Sequence, residues 1–251
     1  MSDALLTRDG DLGIITLSGV KVNALTEQTV SQLRSHLAEL AADDSVRAVV
    51  LTGAGDSFFS FGWDVPHFLD FDPSSFREFL QDFTAAYREL FVFPKPLVAA
   101  LNGHTIAGGA MLATSCDRRV MVGGRAKISL NEVTFGASLF AGLTEILRDL
   151  VGGKAVRQIT LSGAMYSADE ALTIGWIDET CSPEELMPRA IETVGELAEH
   201  DATAFTSIKA LIRQEVVAKI TEREAASIEE FLRIWYAPDM RERLARIEIR
   251  R

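Results

Sequence analysis

The sequence predicts an α/β domain over residues 1–190 followed by an α-helical C-terminal part over 191–251. Three observations carry that prediction. Short apolar runs bounded by glycine alternate with stretches of helical periodicity as far as about residue 180. From about Ala190 onward the periodicity is helical alone. With 251 residues, 47% of them hydrophobic and 24% charged, the chain has the makings of an ordinary globular core and cannot be a disordered chain, a collagen-like repeat or a coiled-coil rod.

The elements follow in order. Ile14-Ile15-Thr16-Leu17 reads as a strand, and Thr26 caps a helix whose apolar positions Val30, Leu33, Leu37 and Leu40 recur at helical spacing. RAVVLTG (Arg47–Gly53) is a short apolar strand running into the polar loop GAGDSFFSFGWD. Residues 74–93 are helical, with Phe76, Phe79, Leu80, Phe83 and Tyr87 on one face. Pro96 to Leu101 is a buried strand, Asn102-Gly103-His104 a turn, and Thr105 opens a helix. Strands are expected at Arg118–Val122 and near Lys127–Leu130. Ser167-x-x-Glu170 and Ser182-x-x-Glu185 both match the capping box, the second with Pro183 in the first helical position, and Gly175 ends the helix begun at Ser167. Two apolar stripes follow, Ile208, Leu211, Ile212 and Val216, then Phe231, Ile234 and Trp235.

Charge and composition exclude several functions. The net charge of −11 argues against nucleic acid or an anionic membrane as partner. Residues 201–251 hold ten Lys/Arg against nine Asp/Glu, so the acidity lies in the first 200 residues. Two cysteines, Cys116 and Cys181, make no disulfide framework, so a reducing cytoplasm is expected. The opening MSDALLTRDGDLG lacks the basic-then-apolar layout of a signal peptide. Pro96 to Cys116 carries no charge, yet Asn102, Gly103, His104, Gly108 and Gly109 interrupt it, so a strand, a turn and a buried helix are expected instead of a membrane span.

Gly53-Ala54-Gly55 follows a strand, but Phe58 stands where a dinucleotide fingerprint needs its third glycine. Gly152-Gly153-Lys154 lacks the rest of a phosphate loop, and no Gly-x-Ser-x-Gly elbow exists. The four histidines show no metal-ligand spacing. His36 is expected in solvent, whereas His67 and His104, near the glycine turns, are candidates to touch a ligand.

Two segments put backbone N–H groups at strand-to-helix turns: SFFSFGWDV (Ser57–Val65) and NGHTIAGGAML (Asn102–Leu112). The small residues 107–110 leave the start of the second helix bare, where a ligand oxygen can meet the amides and the helix dipole favours negative charge. Together with VNALTEQ (Val22–Gln28), RAVVLTGAGDSFFSFGWD (Arg47–Asp64), KPLVAALNGHTIAGGAMLATSCD (Lys95–Asp117), KISLNEVTFG (Lys127–Gly136) and LSGAMYSADEALTIGWID (Leu161–Asp178), these segments resemble the crotonase superfamily of enoyl-CoA hydratases and isomerases.

The resemblance implies a crotonase-like spiral of ββα units, a C-terminal helical region that assembles a homotrimer or a dimer of trimers, and an acyl-CoA or enoyl-CoA thioester as substrate. It implies no cofactor beyond the substrate's own coenzyme A moiety. It assigns the backbone N–H groups of Trp63 and Gly108 to an oxyanion hole for the thioester enolate. It sets Gly62, Trp63 and Asp64 along the coenzyme A channel, and Val22, Asn23 and Ala24 near the adenine end. Phe61 and Trp63 are bulkier than the family pattern and are expected to crowd the pocket. Ala107 replaces the first of three glycines and is expected to be tolerated. Asp117 is expected to tie down a helix end.

The carboxylates then distinguish the chemistries. Family hydratases hold water between two glutamates. At the first of those positions this chain has Met111, and the second matches Glu132. A single carboxylate suits double-bond migration, in which one group removes a proton and returns it elsewhere. Leu130-Asn131-Glu132 is similar to the triplet of the 3-enoyl-CoA to 2-enoyl-CoA isomerases, which sets Asn131 beside the ligand. Met111, Phe135, Leu139 and Phe140 are expected to surround Glu132 with apolar groups and raise its pKa. A hydratase, hydrolase or decarboxylase activity on an acyl-CoA, or a homologue that only binds acyl-CoA, remains the alternative. The arginines of the terminal RERLARIEIRR are candidates for the CoA phosphates, set against a solvated helix face.

Overall fold

In the computed structural model, which describes residues 3–244, the chain opens with the antiparallel pair β1 (Ala4–Asp9) and β2 (Leu12–Leu17). The short α1 (Val20–Asn23) leads into α2 (Glu27–Ala42), with Thr26 as its cap. The Thr26 hydroxyl accepts from the Thr29 N–H, and Thr29 Oγ1 accepts in return from the Thr26 N–H. Val30, Leu33, Leu37 and Leu40 are buried as their spacing requires.

Three turns of one plan follow. The first is β3 (Ala48–Gly53), β4 (Phe58–Ser60), α3 (Val65–Phe68) and α4 (Pro73–Phe91). The second is β5 (Leu97–Leu101), β6 (His104–Ile106) and α5 (Gly108–Thr114). The third is β7 (Arg118–Val122), β8 (Lys127–Ser129), α6 (Glu132–Phe135) and α7 (Ala141–Ser162). The chain closes with β9 (Tyr166–Ser167), α8 (Ala168–Thr173), β10 (Glu179–Cys181), α9 (Leu186–Ala198), α10 (Ala202–Trp235) and α11 (Pro238–Leu244).

The first strand of each turn joins a six-stranded sheet of order β1-β2-β3-β5-β7-β10, and the second joins a four-stranded sheet of order β4-β6-β8-β9. Parallel pairing runs from β2 to β10 in the first sheet and through β4, β6 and β8 in the second. Every residue of β3 and β5 is buried, which accounts for their unbroken apolar runs. The result is the α/β spiral of ββα units with a helical C-terminal region that the sequence predicts.

Several details depart from the expected elements. The chain after Gly103 first makes the three-residue β6, and the helix starts only at Gly108. A three-residue strand is too short to show a period of two. Ser182 does not open a helix: its N–H donates to Glu185 Oε2 at 3.2 Å, half of a capping box, and α9 starts at Leu186 without a side-chain cap. His36 is half-buried and not free in solvent, with Nε2 3.1 Å from the Ala4 carbonyl. The division expected at residue 190 falls inside α9, which packs on β3, β5 and β7 and therefore belongs to the sheet layer. Within the first stripe of α10, Val216 is buried, but Ile208, Leu211 and Ile212 are 59%, 67% and 67% exposed.

Asp117 binds α10 to the sheet. Its carboxylate accepts from the Leu97 N–H at 2.8 Å and pairs with Lys209 and Arg213 at 2.8 Å each. Ser167 makes both halves of its capping box, and Gly175 follows α8 at φ +76°. Among the described residues no helix is long and apolar enough to cross a membrane, and the uncharged stretch 96–116 is divided among β5, β6 and α5.

Candidate active site

The small sheet assembles the site. Strands β4, β6 and β8 are parallel neighbours, so their C-terminal ends lie along one edge at roughly 4.8 Å spacing. Trp63 follows β4, Gly108 follows β6, and Asn131 with Glu132 follows β8. Three sequence-distant segments thus meet where parallel α/β strands present ligands.

Backbone bonds fix them. The Ala107 N–H donates to the Ser129 carbonyl at 2.9 Å, tying the second segment to the third. Leu25 N–H donates to Gly62 O at 2.8 Å, and Asp64 N–H donates to Leu25 O at 3.0 Å, clamping the first segment. Gly62 stands at φ +96°, and a Cβ there would come within 3.0 Å of the Gly108 nitrogen. Gly109 passes so close to Ser60 that a Cβ would lie 2.6 Å from its carbonyl oxygen. The Trp63 and Gly108 backbone N–H groups have no hydrogen-bond partner among the described residues.

Ala107, just before that helix, is held at φ +48° and ψ −119°, a region that disfavours a Cβ. It is tolerated, but under strain. Ala107→Gly should therefore raise stability by about 1 kcal/mol, strain relief outweighing the extra freedom of glycine in the unfolded chain. Urea unfolding would read this as a higher midpoint, and a lower one would refute it.

The segments enclose a cavity of about 200 Å³ lined by Phe61, Trp63, Val65, Ile106, Ala107, Gly108, Met111, Asn131, Glu132, Phe135, Ala137, Phe231 and Trp235. Among the described residues Glu132 is its only titratable side chain. It is 4% exposed, and neither carboxylate oxygen has a partner among the described residues. Burial in this apolar surround pushes its pKa up to about 8. Met111 and Phe135 supply part of that surround as expected, whereas Leu139 and Phe140 do not line the cavity. Phe140 instead packs on the Trp63 indole, 6.0 Å between ring centroids.

Of the other candidates, Phe61 and Asn131 line the cavity, and Asn131 Oδ1 is buried without a partner among the described residues. Trp63 crowds the cavity less than its size suggests. Its indole is set among the rings of Phe68, Phe76, Phe79, Phe83, Phe140, Phe231 and Trp235, so most of its volume fills the core. Asp64 caps α3, accepting from the His67 N–H at 3.4 Å.

Val22, Asn23 and Ala24 lie outside the cavity lining. The Asn23 amide is buried and donates to the carbonyls of Ala54 at 2.9 Å and Phe58 at 2.7 Å, so its side chain knits loops together. Ala24 is likewise buried, and the Val22 carbonyl accepts from the Phe61 N–H at 3.0 Å. His67 is exposed and paired with Glu27 at 2.8 Å, while His104 packs on Phe58, and neither lines the cavity. Of the C-terminal arginines, Arg241 donates to the Leu69 carbonyl, Arg243 lies beside Gly136, and Arg246, Arg250 and Arg251 fall outside the described residues.

Sequence reasoning missed Val65, Ile106, Phe231 and Trp235. The last two lie four apart on α10 and face the cavity together. Their stripe is visible in the sequence, but helical spacing does not say what a face packs against.

Residues 7–246 match the family model described as enoyl-CoA hydratase/isomerase. A short-chain-enoyl-CoA hydratase of Clostridium acetobutylicum is 30% identical over 232 residues, 92% of this chain and 88% of the relative. A carnitinyl-CoA dehydratase of Salmonella arizonae is 31% identical over 221 residues, 85% of this chain and 81% of the relative. The crystal structure of human mitochondrial delta3-delta2-enoyl-CoA isomerase superposes with a TM-score of 0.93 at 23% identity, covering 97% of this chain and 95% of that one, a likeness of fold.

Proposed function

Because the chain belongs to the enoyl-CoA hydratase/isomerase family, we propose that it moves the double bond of a 3-enoyl-CoA thioester to the 2-position. The observation that carries this reading is the single carboxylate among the described residues that line the cavity, Glu132, with Met111 in the lining where the family resemblance puts the other glutamate of a two-glutamate hydratase. The Glu132 carboxylate takes a proton from C2. The electrons of that C–H bond enter the thioester, giving a dienolate whose oxygen accepts from the Trp63 and Gly108 N–H groups. Glu132 then returns the proton at C4 as the C2–C3 double bond forms and the carbonyl is restored. One group serves as base and then as acid, which a pKa near neutrality favours in both directions. No atom of water is consumed.

The test is to incubate the protein with a 3-enoyl-CoA and follow the conjugated thioester by ultraviolet absorbance. Formation of 2-enoyl-CoA supports the reading, and no turnover rejects it. Hydration of 2-enoyl-CoA is the second reading, favoured by the hydratase and dehydratase names of the sequence relatives. Met111→Glu addresses it. Restoring a second carboxylate should confer measurable hydration where wild type has none, and equal hydration by both would argue for water activation by Glu132 alone. We also propose assembly into a trimer or a dimer of trimers in the cytoplasm. The exposed Ile208, Leu211 and Ile212 of α10 support assembly, since a partner chain would cover them.

A further inference from the structure

The chain has three tryptophans, and their indole N–H groups are treated differently. Trp176 donates to Thr114 Oγ1 at 2.9 Å. Trp63 and Trp235 are 9% and 1% exposed, and neither indole N–H has a partner among the described residues. Both residues line the cavity that holds Glu132. A buried donor without an acceptor is costly. The edge-to-face rings around Trp63 offer its N–H at most a weak π acceptor. Two such donors on residues that line one apolar cavity stay unpaired when a purely hydrocarbon acyl chain fills it.

We propose that the acyl group taken by this cavity carries an uncharged oxygen, keto or hydroxyl, that accepts from the Trp63 and Trp235 indole N–H groups. This rests on reading the cavity as the acyl site of a CoA thioester. The cavity lining decides the charge. Among the described residues it contains no Lys, Arg or His to meet a carboxylate, and Glu132, held largely protonated at neutral pH, gives no counter-charge to a quaternary ammonium. Asn131 Oδ1, also buried and without a partner among the described residues, can accept from a hydroxyl in return.

The experiment uses saturated CoA thioesters, which cannot undergo double-bond migration, so recognition is read apart from turnover. Octanoyl-CoA is compared by calorimetry with octanoyl esters bearing one keto or hydroxyl oxygen at C5, C6, C7 or C8. At least one oxygenated ester should bind about tenfold more tightly or better. With indole-15N-labelled protein, that ester should move the Nε1–H resonances of Trp63 and Trp235 and leave that of Trp176 in place. In Trp235→Phe the affinity ratio should fall toward one. Octanoyl-CoA binding as tightly as every oxygenated ester would overturn the proposal, as would tighter binding of an ester ending in a carboxylate or a trimethylammonium group. These wild-type measurements decide the matter even where Trp235→Phe does not fold. Selective binding without isomerase turnover would support the recognition while rejecting the reaction.

Discussion

Replacing Glu132 by glutamine is expected to lower the rate of double-bond migration in a 3-enoyl-CoA by about 10³-fold or more, with little change in affinity for the ester. Glutamine has nearly the shape of the protonated acid, so the cavity keeps its form, but it neither accepts the C2 proton nor delivers one to C4. Both halves of the reaction lose their agent, and among the described residues no other side chain lining the cavity titrates. Ultraviolet turnover measurements give the rate, and calorimetry with a saturated ester gives the affinity. A loss below tenfold would remove Glu132 from the proton path.

The same residue makes two pH dependences. As a base, Glu132 acts only when ionised, so kcat/KM of the wild type should rise with pH through about 8. Stability should move the other way. The folded-state pKa, about 8, lies above the ordinary glutamate value of 4.5, so between those limits the folded protein holds the proton more firmly than the unfolded chain. This contribution is full below pH 4.5, falls across the window and is gone above about 8. Glu132→Gln, which stays neutral, should therefore gain on wild type as pH rises, by an amount on the order of a few kcal/mol at pH 9. Thermal unfolding of both proteins at pH 5 and pH 9 checks the sign, and a gap that narrows with pH would contradict it.

Much of this site was legible before any coordinates, because its parts are backbone features with strong local signatures. A glycine-rich strand-to-helix turn puts backbone N–H groups at the start of a helix, and Gly108 and Trp63 both line the cavity. Glu132 is legible because it sits inside a triplet and not by being a carboxylate, of which the chain has many. What local pattern cannot express is which faces meet. Phe231 and Trp235 form a helical stripe that fits a subunit interface as well as a cavity wall, and only the path of α10 back over α4 and α7 decides between them. The reverse error occurs at Ile208, Leu211 and Ile212, apolar at helical spacing yet uncovered within the chain. Asn23 shows a third limit. The motif marks its position, but its buried amide is bound to the Ala54 and Phe58 carbonyls, a contact thirty and more residues away along the chain. The short β6 escaped because three residues carry no period.

Gly108→Ala should lower kcat by about 10²–10³-fold while changing KM by far less. The backbone at 108 suits an L-residue, being the first position of α5, so the effect comes from volume alone. A Cβ there would lie 3.0 Å from both Cδ1 and Nε1 of Trp63 and 3.3 Å from Leu25 Cδ1. Neither neighbour can yield. The indole is hemmed in by seven aromatic rings, and Leu25 is fully buried. The first turn of α5 must shift instead, and with it the N–H proposed to stabilise the dienolate. Overpacking of this kind costs about 1–3 kcal/mol of stability, which leaves a protein that can be assayed below its unfolding transition. An oxyanion donor acts as charge develops, so displacing it slows the chemical step more than it weakens binding of the uncharged carbonyl. A folded Gly108→Ala protein with kcat within threefold of wild type would show that the dienolate oxygen does not rest on this amide.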